Sequence, residues 1–294
     1  MNGITWLASY PKSGNTWMRV FLTNYWRDAD TPADINALDE TPIASSRPMF
    51  DEVLGVDSTD LTRAEIDRLR PAVYKAHAFD PDDPRVEGQF CKIHDAYLIL
   101  PDGQPMFPAE VTAGAIYILR NPFDVAVSYA NHSAKPIPWA VRALNDPTHT
   151  LAESRLGAAS QLHQPLSTWS GHVESWMSAQ GFPIHLARYE DMIVDPVESF
   201  RAVVRFIGGD ADSDAGRARI DKAIRFSEFG ELKKQEEEKG FREKMIKATS
   251  FFNQGKSGTW RDKLTPDQIE TLRAAHAPAM LRYGYLDGEG NITC

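Results

Sequence analysis

The stretch Ile4-Thr5-Trp6-Leu7-Ala8-Ser9-Tyr10-Pro11-Lys12-Ser13-Gly14-Asn15-Thr16-Trp17-Met18 decides how the chain is read. A short apolar run (Ile4, Trp6, Leu7, Ala8) reads as a first strand over residues 3–8. Apolar residues then recur with helical period (Trp17, Met18, Phe21, Leu22, Tyr25). Between them lies a tight loop holding a lysine, hydroxyls and a glycine. A helix N-terminus presents unpaired N–H groups and the positive end of its dipole, so strand, loop and helix in this order make an anion site. The loop is not the common phosphate loop, in which glycine precedes Gly-Lys-Ser/Thr; here Lys12 precedes Gly14.

The rest of the chain fits that beginning. Its 294 residues are 42% hydrophobic and 25% charged, ordinary values for a globular protein. The net charge of -9 argues against non-specific nucleic-acid binding, which needs basic surface, yet leaves room for a local basic pocket. Two cysteines, Cys91 and Cys294, make neither a disulfide framework nor a zinc site, and fit a reducing cytoplasm. No leader-like or membrane-spanning run is read, and no metal-ligand cluster. Further strands are expected at 89–94, 114–119 and 184–188. Alternation of strands and helices predicts an α/β fold, a central parallel sheet flanked by helices, in a single domain over 1–294. Lys12, His94, Arg120 and Tyr189 fall at or just after strand ends, where ligands bind on such sheets. Two segments, about 31–60 and 132–168, read as irregular insertions.

A second anchor is Arg120-Asn121-Pro122-Phe123-Asp124-Val125-Ala126-Val127-Ser128, after the buried-strand run Ala115–Leu119. Pro122 suits a first helical turn. The Arg120 fork can hold phosphate oxygens, and Ser128 adds a hydroxyl nearly two turns along. Two Lys-x-His triplets follow different segments. Lys75-Ala76-His77 comes after a helical stretch, 61–70, with Asp60 as its N-cap and Pro71 as its interruption. Lys92-Ile93-His94 follows the extended run Gln89-Phe90-Cys91. Residues 161–176 carry Leu166, Trp169, His172, Val173 and Trp176 at helical spacing, a core-facing stripe. Thr265, Pro266 and Gln268 read as N-cap, N1 and N3 of a last helix.

Taken in order, these motifs resemble the sulfotransferases that use 3'-phosphoadenosine 5'-phosphosulfate (PAPS), of the cytosolic type and its bacterial branch, over roughly residues 3 to 285. Asn15 stands where Thr is common in the family. The resemblance implies in-line transfer of a sulfuryl group to an O–H or N–H of a small-molecule acceptor, leaving 3'-phosphoadenosine 5'-phosphate (PAP). It implies a 5'-phosphosulfate loop from Pro11, Lys12, Ser13, Gly14, Asn15, Thr16 and Trp17, and a 3'-phosphate site from Arg120 and Ser128. It puts Tyr189, of Arg188-Tyr189-Glu190-Asp191, near the adenine, with Ser227 touching the purine and Phe229 stacking on it opposite Trp17. A histidine with pKa near neutrality is the natural base for the acceptor proton. The resemblance implies His94 as that base, rather than His77, and Lys92 as an active-site cation. Phe251-Phe252-Asn253-Gln254-Gly255-Lys256-Ser257-Gly258-Thr259-Trp260 resembles the family's glycine-rich loop, but Asn253 and Gln254 replace its basic pair. Gly255 and Lys256 are retained as nucleotide contacts, Lys256 able to carry charge into the vacated place. The irregular segments are read as acceptor-side elements. Two other readings stand beside this one: an ATP-dependent phosphoryl-transfer enzyme and a non-catalytic PAP-binding protein.

Overall fold

Five consecutive buried residues, Ile4–Ala8, form the strand β1 from which the architecture grows. The computed structural model describes residues 3–38, 41–78, 89–152, 160–244, 250–252 and 255–294. Asn253 and Gln254 therefore lie outside the described residues. After β1 come α1 (Asn15–Arg27), α2 (Arg47–Leu54), α3 (Arg63–Ala78), β2 (Phe90–Ile93) and β3 (Thr112–Leu119). Next are α4 (Pro122–His132), α5 (Ile137–Leu144), β4 (Thr150–Leu151), β5 (Gln164–Pro165), α6 (Trp169–Met177) and β6 (Ile184–Arg188). The chain continues with α7 (Tyr189–Val194), α8 (Pro196–Phe206), α9 (Asp214–Phe226), α10 (Phe229–Lys239) and α11 (Pro266–Arg282).

The central sheet has the order β2-β1-β3-β6, with β1 parallel to both β2 and β3. Buried apolar runs such as Ala115–Leu119 are what a sheet covered on both faces requires. Packing divides the chain into two compact units. The first holds Met1–Tyr10, Glu40–Tyr117 and Pro147–His185; the second holds Pro11–Asp39, Ile118–Asp146 and Leu186–Cys294. In the first unit Trp6 packs against Tyr74 and Phe107, each with ring centroids 5.1 Å away, and Phe107 stacks on Trp176. In the second, Phe21 stacks on Phe200 at 4.0 Å, and Val20, Ile35, Leu38, Leu232, Phe241 and Phe252 form a further buried cluster. Among the described residues no helix is long and apolar enough to cross a membrane.

Several local expectations are corrected. Helix α3 begins after Thr62, not Asp60. Thr62 and Glu65 form a reciprocal cap, with Thr62 N donating to Glu65 Oε2 (2.8 Å) and Glu65 N to Thr62 Oγ1 (3.3 Å). The helix also runs through Pro71 to Ala78, because the stripe Ile66, Arg70, Val73, Tyr74 stays buried across the proline. That burial outweighs one missing backbone bond. Lys75 and His77 thus sit on the last turn of α3. The stripe at 161–176 is split: Leu151 pairs with Gln164 across β4 and β5, and the helix starts only after its N-cap Thr168. The segments expected to be irregular carry α2 and α5. Helix α11 has the expected cap, Thr265 and Gln268 bonding reciprocally.

Candidate active site

All the residues expected to hold the nucleotide lie in the second unit. Lys12 adopts a left-handed conformation (φ 70°) in the loop, and Gly14 caps α1 at φ 109°. A Cβ on Gly14 would stand 2.7 Å from the Tyr189 ring, so the loop can approach Tyr189 only as glycine. Ser13 is buried, and its Oγ has no hydrogen-bond partner among the described residues. A buried hydroxyl at a helix N-terminus, with an ammonium on the residue before it, fits an anionic ligand. The Lys12 ammonium lies 3.6 Å from the centroid of Phe251. Pro11, Asn15 and Thr16 are buried beside them, and Trp17 packs edge-on against Tyr189 and Phe200.

Arg120 ties this loop to the glycine-rich segment. Its Nη1 donates to Lys12 O (3.3 Å), its Nη2 to Lys256 O (3.0 Å), and its guanidinium lies 4.3 Å from the Tyr189 ring centroid. Ser128 is half-buried on α4. Lys256 is exposed, and Gly255 (φ 60°) lies against Phe229, with whose ring a Cβ there would collide. Phe229 and Trp17 both border the cluster around Val20. Ser227 is fully buried, with its hydroxyl donating to Ala223 O (2.6 Å) and accepting from Asn24 Nδ2 (3.3 Å). It closes α9 rather than pointing into open space.

Sequence reasoning missed Asp124. Its carboxylate, 1% exposed, accepts from Asn121 Nδ2 (2.9 Å), Gly258 N (2.8 Å), Ser257 Oγ (3.2 Å), Thr259 Oγ1 (3.0 Å) and Trp260 N (3.1 Å). It also stands 3.7 Å from Arg120 Nη2. Burial pushes its carboxyl up, and Arg120 together with these donors more than offsets that, leaving it below the usual carboxylate range. Asp124 therefore fixes the whole turn 257–260. No local signal could reveal this, because an Asp in the first turn of a helix is commonplace. Glu190 accepts from Asn121 N and Nδ2 (3.0 and 2.7 Å) and from Tyr285 OH (2.8 Å).

The first unit holds both Lys-x-His triplets. Lys92 is buried on β2, its N–H donating to Pro42 O and its carbonyl accepting from Ala44 N. His94 is half-buried just beyond the strand end. Its Nδ1 lies 2.8 Å from Ser9 O and 3.3 Å from Ser9 Oγ. A carbonyl only accepts, so Nδ1 carries the proton and Nε2 the lone pair of the neutral ring. That is the tautomer of a base acting at Nε2. His77, by contrast, is on the helix whose Lys75 pairs with Glu110 at the surface (2.7 Å).

Comparison with known proteins identifies the family. The family model described as Sulfotransferase domain matches residues 3–284. Cytosolic sulfotransferase 1 of Arabidopsis thaliana is 25% identical over 275 residues, spanning 89% of this chain and 73% of that protein. Sulfotransferase 1A1 of Canis lupus familiaris is 25% identical over 288 residues, spanning 93% and 82%. Among solved structures, mouse sulfotransferase SULT7A1 complexed with PAP superposes with a TM-score of 0.57 at 19% identity, covering 99% of this chain and 87% of that one. Retinol dehydratase in a complex with retinol and PAP gives 0.59 at 17% identity, covering 95% and 81%.

Proposed function

This chain belongs to the sulfotransferase domain family, and from that premise we propose that it moves a sulfuryl group from PAPS to a hydroxyl or amine of a small-molecule acceptor. It is an enzyme, a sulfotransferase. PAPS supplies an activated sulfuryl group with the 5'-phosphate of PAP as its leaving group. What supports this donor is the gathering, in the second unit, of the loop Pro11–Thr16, Arg120 and the glycine-rich turn, all tied through one guanidinium. The orphaned Ser13 hydroxyl fits a phosphate-bearing ligand there.

The division of labour follows from the residues. Ser13, Thr16 and the N–H groups that open α1 hold the 5'-phosphate, with Pro11, Gly14 and Asn15 shaping the loop. Lys12 leaves the face of Phe251 to neutralise charge on the leaving phosphate. Arg120 and Ser128 hold the 3'-phosphate, and Lys256 supplies the cation that Asn253 and Gln254 lack. Tyr189, Trp17, Phe229 and Gly255 border the purine; Ser227 supports it by closing α9. His94 takes the acceptor proton at Nε2, and Lys92 stabilises the sulfuryl oxygens. Positioning and charge stabilisation provide most of the acceleration, as in phosphoryl transfer. Residues 1–294 act as a single sulfotransferase domain in the cytoplasm, a reading supported by one family model spanning 3–284 and by free cysteines at Cys91 and Cys294.

Incubation with sulfur-labelled PAPS and a panel of phenols, alcohols and amines tests the reading. Label should pass to at least one acceptor class. His94→Ala should lower turnover by about 10²–10⁴-fold, the usual contribution of a general base, with PAP affinity kept. Turnover unchanged in that variant would remove His94 from the mechanism.

A further inference from the structure

His172 is a fully buried titratable group that the transfer chemistry leaves unused. Burial pushes its pKa down to about 4, so the ring is neutral near pH 7 and carries one proton. Its Nε2 lies 2.9 Å from the backbone carbonyl of His94, and its Nδ1 lies 2.7 Å from Tyr117 OH. The carbonyl can only accept, so the proton is on Nε2, and Tyr117 must donate to Nδ1. A directed chain results: Tyr117 O–H to His172, and His172 N–H to His94 O.

Other contacts hold the same two residues. Tyr10 packs edge-on against the His172 ring at 5.4 Å, and the preceding residue, Ser9, accepts from the His94 ring. Trp176, one turn beyond His172 on α6, donates to Asp95 O at 2.8 Å. Arg70 grips the Asp95 carboxylate through two bonds, 2.6 and 3.0 Å. A histidine serving only to fill the core would need any acceptor; this one uses its single donor on the residue that carries the base.

We propose that His172 is a positioning residue for sulfuryl transfer: its Nε2–H fixes the His94 backbone so that the imidazole meets Ser9 O and keeps its lone pair on Nε2. The inference rests on the reading of His94 as base. Tyr117 acts one step further out, by holding His172 in the donating tautomer.

The test is ¹⁵N NMR of the His94 ring together with turnover and PAP binding, in wild type, His172→Phe, His172→Gln and Tyr117→Phe. Neutral His94 should be the Nδ1–H tautomer in wild type. In His172→Phe it should become a tautomer mixture, with kcat down about tenfold to a hundredfold and PAP affinity within about twofold of wild type. His172→Gln, whose amide can still donate, should recover much of the loss, and Tyr117→Phe should fall between. A wild-type tautomer and wild-type kcat in His172→Phe overturn the proposal. Should that variant fail to fold, the same result in Tyr117→Phe overturns it. His94→Ala separates the two claims: if it keeps full turnover, the base reading fails; if it loses turnover while the His172 and Tyr117 variants do not, only the positioning role fails.

Discussion

Replacing Asp124 should disable nucleotide binding from a distance. Asp124→Ala leaves the N–H groups of Gly258 and Trp260 without the carboxylate that accepts them at 2.8 and 3.1 Å. Each such buried donor costs about 1–3 kcal/mol. Arg120 also loses a buried counter-charge 3.7 Å away. Removing one partner of a buried pair typically costs about 3–5 kcal/mol, which sets the scale of the expected destabilisation. Because Arg120 bonds the carbonyls of both Lys12 and Lys256, the loosened turn should also raise the Kd for PAP. If the binding-competent loop falls to a few per cent of molecules, the loss is about thirtyfold. Urea denaturation reads the first effect and calorimetric titration with PAP the second. Asp124→Asn keeps one acceptor oxygen but turns an amide donor toward other donors, and should lie between wild type and alanine. A PAP affinity within twofold of wild type, in an Asp124→Ala protein of unchanged urea midpoint, would refute the reasoning.

Further expectations follow from other contacts. Arg70→Met should destabilise the protein by about 3–5 kcal/mol, because it strands the fully buried Asp95. Arg70→Met combined with Asp95→Leu should recover most of that in urea melts, since the lone charge is gone. Gly14→Ala should weaken PAP binding by at least tenfold in calorimetry, for its Cβ would press to 2.7 Å of Tyr189 at a backbone angle that L-residues avoid. The depressed pKa of Asp124 gives stability that is complete above its unfolded value near 4 and is lost as pH falls through the folded pKa. Wild type should therefore lose more stability than Asp124→Asn as pH falls below about 4, as followed by urea midpoints at decreasing pH.

The legible parts of the molecule were those whose cause is local. The loop from Ser9 to Thr16 announces itself because strand, glycine and helix must follow in order. The cap at Thr265 does so because its partners are three residues apart. Pro71 misled, since the burial that carries α3 across it comes from tertiary partners: Arg70 reaches Asp95 and Tyr74 packs on Trp6. The apolar spacing over 161–176 extends a helix reading back through Leu166, which lies before α6 begins. Yet Pro165 and the cap residue Thr168 were in the sequence to mark the break. Asp124 and His172 were illegible in their roles. One has the four partners that make it fix the turn 133 to 136 residues downstream, the other bonds a carbonyl 78 residues back, and neither distance leaves a mark in composition or period.

The most direct measurement is calorimetric titration of the protein with PAP, AMP, and ATP plus magnesium. The account predicts clear preference for PAP, lost in Arg120→Ala. Equal or tighter binding of ATP would contradict it and favour phosphoryl transfer instead.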